Sequence, residues 1–115
     1  KSRLVHLKSS YNNDAGESAG GFSTIVIIDL YKNQRFVYQK FTRALKINGR
    51  KNRVQEMMGT GSWVTETLKD GSPCLTLRFK RGDEMMYRLS VNPGHEVYLD
   101  NEKYIRMNLE EEILQ

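Results

Sequence analysis

The chain has 115 residues and a mass of 13.4 kDa, the size of one domain (1–115) with one modest core. With 38% apolar residues, 28% charged residues and two prolines, wholesale disorder and a collagen-like repeat are excluded. The longest apolar run is the four residues Ile25 to Ile28, far below the ~20 of a helical membrane span, and a single cysteine excludes an internal disulfide framework.

In chain order, Arg3 to Leu7 reads as a short first strand, and the polar, glycine-rich stretch from Ser9 to Gly21 as a flexible loop. Phe22 to Tyr31 is rich in β-branched residues and predicts a strand. Lys32-Asn33-Gln34 turns the chain, and Arg35 to Thr42 returns as the next strand. Asn48-Gly49 is a strong signal for a tight turn. Val54 to Met58 and Gly61 to Leu68 read as one strand interrupted near Gly59-Thr60-Gly61, where glycine permits a bulge.

The second half alternates more strictly. In Cys74 to Lys80, Leu75, Leu77 and Phe79 are expected to face inward, and Thr76, Arg78 and Lys80 outward. After Arg81-Gly82-Asp83, the residues Met85, Tyr87, Leu89 and Val91 share one face. Asn92-Pro93-Gly94 turns the chain again, and Glu96 to Leu99 and Lys103 to Met107 flank Asp100-Asn101. The acidic tail, Asn108 to Gln115, has the spacing to cap a short helix. About eight short strands joined by tight turns permit only antiparallel neighbours. The expected fold is therefore all-β, an up-and-down meander closing into a barrel.

The pattern resembles the small lipocalin-like domains of bacterial envelope proteins and, more loosely, the N-terminal barrel of NlpE-type copper-resistance lipoproteins. The residues that carry the resemblance are the hairpin Ser23 to Thr42, Gly61-Ser62-Trp63, Leu75 to Phe79, Tyr87 to Val91, and Leu99-Asp100 followed by Tyr104. It implies a non-enzymatic barrel of a secreted, periplasmic or outer-membrane-anchored protein, binding a small apolar ligand or a protein partner. The paired cysteines of NlpE-type domains are missing here, so a copper role has no residues to fall on. The chain begins at lysine without a signal peptide or lipidation box, as expected of a mature secreted chain or of a trimmed folded part. Membrane contact is expected only through a lipid anchor upstream.

If the barrel is a container, the candidates for its lining are Phe36, Tyr38, Phe41, Trp63, Leu77, Phe79, Tyr87 and Leu89. Strand 35–42 does not alternate cleanly, so which of its faces points inward stays open. Trp63 fits both a core plug and a wall of the ligand site. A barrel this small is equally consistent with an interior filled by its own side chains.

The net charge of +4 is unevenly placed: Leu30 to Gln55 holds eight basic residues and no acid. Within it, Lys40, Arg43, Lys46, Arg50, Lys51 and Arg53 form a candidate basic patch for nucleic acid, a reading weighed against a solvated hairpin. A structural module of a larger assembly is the remaining alternative. No catalytic residue, metal ligand or cofactor is expected. In the triplets Glu56-Met57-Met58 and Glu84-Met85-Met86, adjacent methionines point to opposite faces. His6 and His95 lack partners at ligand or triad spacing, and Cys74 reads as a small filler.

Overall fold

Alternating side chains give a sheet one dry and one wet face, and a sheet of short antiparallel strands hides its edges by closing on itself. The computed structural model, which describes residues 1–12, 20–46, 53–94 and 96–110, is such a closed sheet. Its strands are β1 (Ser2–Asn12), β2 (Gly20–Leu30), β3 (Arg35–Lys46), β4 (Arg53–Thr67), β5 (Pro73–Phe79), β6 (Glu84–Val91), β7 (Val97–Leu99) and β8 (Glu102–Asn108). Each pairs antiparallel with the next. The seam is made by β8 and β1, with Ser2 opposite Asn108 and Val5 opposite Ile105.

The meander barrel is the expected architecture, with three local differences. β1 and β3 continue beyond Leu7 and Thr42, because each finds a full-length partner in β2. β4 runs unbroken through Gly59 and Gly61, where an interruption was expected. Close approach to a neighbour, rather than a bend, explains these glycines. A Cβ on Gly59 would strike the Phe79 ring, and one on Gly61 would fall onto the Arg78 carbonyl oxygen. Thr76, expected to face water, is only 3% exposed. It lies in register between Val64 and Met86, with the buried Cys74 thiol 3.9 Å from its hydroxyl. The expected turn at Asn48-Gly49 and His95 lie outside the described residues; of the tail Asn108 to Gln115, Asn108 ends β8 rather than capping a helix, and the residues from 111 lie outside the described ones.

Three hairpins share one turn. In each, a backbone N–H reaches the carbonyl four residues on, and the third loop residue has positive φ: Gln34 (65°), Gly71 (86°) and Gly82 (106°). This is the three-residue loop with a left-handed third position, which glycine adopts freely and glutamine does not. Between β7 and β8 the turn uses two left-handed residues, Asp100 and Asn101, and the Asp100 carboxylate accepts the Arg88 backbone N–H at 2.7 Å.

Leu4, Val26, Ile28, Phe36, Tyr38, Leu75, Leu77, Phe79, Val97, Leu99 and Tyr104 fill the middle of the barrel. Phe79 meets Phe36 and Tyr38 edge-on, with ring centroids at 5.0 and 5.8 Å. An eight-stranded interior is just wide enough to be closed by side chains, and here it is closed at mid-height.

Candidate ligand-binding site

Above this plug, at the end where β1 begins and β2 and β8 finish, the barrel opens into a cavity of about 790 Å³. Leu4, Leu75 and Val97, all buried, line its depth with the half-buried Leu30, Trp63 and Leu89. Its outer part is polar, with Thr65, Asn108 and Glu110 exposed alongside Lys32 and Arg106. An apolar well with a few polar groups at its lip, in the volume range of small-molecule sites, is the usual form of a ligand pocket.

Trp63 is fixed from two directions. Its indole N–H donates to the Tyr31 carbonyl at 2.9 Å, and its backbone N–H donates to the Gln34 carbonyl at 2.8 Å. The β2–β3 turn is thereby sewn onto β4 beside the cavity. Trp63 thus packs against the core and also lines the cavity. Nearby, Lys1 Nζ lies 3.4 Å from the Tyr31 hydroxyl and 3.9 Å from Asp29. The buried Asp29 carboxylate also takes two hydrogen bonds from Arg3, at 2.8 and 3.0 Å.

Of the other expected lining residues, only Leu89 joins Trp63 in this cavity. Phe36, Tyr38, Leu77 and Phe79 belong to the packed middle. Tyr87 packs against the same core, its hydroxyl 3.2 Å from Met85 Sδ. Phe36 and Tyr38 settle which face of β3 points inward, and Phe41, at odd spacing from them, lies outside with Ile25, Arg43 and Val54. Leu4, Leu30, Leu75, Val97 and Arg106 are not among the lining candidates that the sequence offers. The inward alternation of Leu75 was its one usable signal, since depth along the barrel depends on strand stagger.

The opposite half of the interior is richer in hydroxyls. Burial raises the Tyr104 phenol to about 12, and it raises Tyr87 further; Glu102 and Asp100 act on both in the same direction. Tyr38 is also raised by burial, partly offset by a hydrogen bond with Tyr87. His6 stacks on Tyr104 with centroids 4.9 Å apart. His6 Nδ1 lies 2.9 Å from the Lys103 carbonyl, and Nε2 approaches Glu102 Oε2 at 2.9 Å, out of line for a hydrogen bond. This cluster pins β1 to β8 where their backbone pairing ends.

On the exterior, Leu7 (62% exposed), Val54, Met58 and Ile105 are exposed around the half-buried Val5, Ile25, Ile27 and Phe41. The register sets them on adjoining strands from β8 through β1, β2 and β3 to β4. Of the basic residues, Lys40 faces the side of β3 shared with Tyr38, and Arg43 faces the side shared with Phe41. The two therefore do not join one patch. Lys46 and Arg53 end β3 and begin β4; their side chains, with Arg50 and Lys51, lie outside the described residues. Met58 and Met86 are exposed while Met57 and Met85 pack against the core, as strand alternation requires.

Among the described residues, no three His, Cys, Asp or Glu side chains are placed to hold a metal ion, and no helix is long and apolar enough to cross a membrane. Comparisons with protein-family models, with curated proteins and with solved structures find no match to this chain.

Proposed function

We propose that this is a non-enzymatic, lipocalin-like binding domain that takes a small apolar ligand end-on into the open end of its barrel. The observation that carries this reading is the cavity of about 790 Å³ with a Leu/Val/Trp depth and a polar lip. Burial of apolar ligand surface supplies the affinity there, at roughly 25 cal/mol per Å² before the cost of association. The resemblance to envelope lipocalin-like domains supports a secreted or envelope-attached setting. Trp63, the single tryptophan, is a built-in reporter. Titration with neutral dodecanol below its solubility limit is expected to change Trp63 emission saturably at one molecule per chain. Val91→Glu, which puts a carboxylate into an exposed lining position, is expected to weaken it. Absence of any saturable change in the wild-type chain would reject the reading.

A second reading, an interaction module, is favoured by the apolar exterior. Monomeric proteins rarely leave so continuous a face to water. We assign its occupant to a second copy of this chain, packed sheet on sheet. Arg43 and Glu56 lie diagonally on that face, next to Val54 and Phe41, and neither makes an ion pair within the chain among the described residues. A two-fold axis between the copies can set each arginine against the other copy's glutamate. Sedimentation equilibrium is expected to show a concentration-dependent dimer that Leu7→Glu abolishes. A monomer at every concentration would reject it.

A further inference from the structure

The lip of the cavity is not neutral. Among the described residues, Lys1, Lys32 and Arg106 line it with one carboxylate, Glu110. These cations differ in how they are occupied. Lys1 Nζ is shared between Asp29, at 3.9 Å, and the Tyr31 ring, whose centroid is 5.2 Å away. Arg106 stands on β8 directly opposite Leu4, is exposed, and has no ion-pair partner among the described residues. Arg106 therefore lines the same cavity as Leu4, at the polar outer part of an apolar well.

Resting on the reading of the cavity as a ligand site, we infer that the ligand is an acyl chain ending in a carboxylate. Its tail fills the well and its head is taken by Arg106. A planar guanidinium matches a carboxylate with two parallel hydrogen bonds, which an alcohol head cannot use. The surplus of cations at the lip adds a longer-range attraction for the same head, reduced by salt. Orientation follows from the same chemistry: tail first, because Leu75 and Val97 offer a carboxylate no partner and burying it there is costly.

The test compares dodecanoate with dodecanol, both below their aggregation limits, by Trp63 emission on the whole chain. Dodecanoate is expected to bind about ten-fold more tightly at low salt. Arg106→Gln is expected to erase that preference and Arg106→Lys to keep part of it. Arg88→Gln makes the same change of charge on the outer wall, where Arg88 contacts Asp70 at 3.2 Å, and is expected to leave the preference intact. Equal affinity for the two probes in the wild-type chain would overturn the head-group assignment while leaving the apolar mouth standing. A preference that survives in Arg106→Gln would overturn it as well. Binding of neither probe would remove the ligand site itself.

Discussion

Strands β1–β4 run for 11, 11, 12 and 15 residues, whereas β5–β8 run for 7, 8, 3 and 7. A closed barrel needs all eight at one height, so the long half must overhang the short one. The register shows it: β8 pairs with β1 only over Ser2 to Val5, and β5 pairs with β4 only from Gly61 onward. Beyond those limits the long strands form an open, two-sided sheet. There the inward positions include the polar Lys8, Thr24, Lys40 and Thr42 beside an exposed Phe22, while the exterior is apolar at Leu7, Ile25, Phe41 and Val54. One strand can thus reverse its wet and dry faces along its length. What decides is the presence of strands across the barrel, not the residue pattern of the strand itself.

Substitutions that distinguish the two halves sharpen this contrast. Leu77→Ala, in the closed section, is expected to cost about 2–5 kcal/mol in denaturant unfolding. Leu7→Ala, on the overhang, is expected to cost under about 0.5 kcal/mol. Equal losses would mean that the overhang is packed as the barrel is. Gly61→Ala has no room against the β5 backbone and is expected to cost about 3 kcal/mol. Gly94→Ala meets only the Asn92 side-chain oxygen at 3.5 Å and is expected to leave the backbone fit unchanged.

The tyrosines of the closed section give a pH signature. Tyr104 ionises near 12 in the fold against 10.0 for an ordinary phenol, and Tyr87 is raised as well. The unfolded chain therefore loses these protons first. The stability they contribute is complete below pH 10, falls as pH rises beyond it, and for Tyr104 is gone above pH 12. Tyr104→Phe is expected to flatten that alkaline limb in unfolding measured across pH. An unchanged limb would place its source elsewhere. The turn sewn to Trp63 gives an effect of the opposite sign. Gln34→Gly removes a left-handed strain of about 1 kcal/mol and is expected to raise the melting temperature.

The fold was legible where side chains alternate and turns carry glycine, as in Leu75 to Phe79 and at Gly71 and Gly82. It was less legible where one residue serves a neighbour rather than its own strand. Gly59 and Gly61 look like a break until β5 lies against them. Phe41 looks like lining because it is aromatic, yet it falls on the odd positions of β3, beyond the height at which the barrel closes. The cavity was hardest to anticipate. Leu4, Leu75, Val97 and Arg106 come from strands distant in sequence, and only the stagger of the closed sheet brings them to one end.

Cys74 is the only thiol of the chain, is 1% exposed, and sits in β5 between β4 and β6. A sulfhydryl reagent reaches it only when that strand peels away from a neighbour. Its labelling rate in native buffer is therefore a clock for wall opening, read without any added probe, and its slowing by a bound molecule would measure how far occupancy of the mouth holds the wall shut.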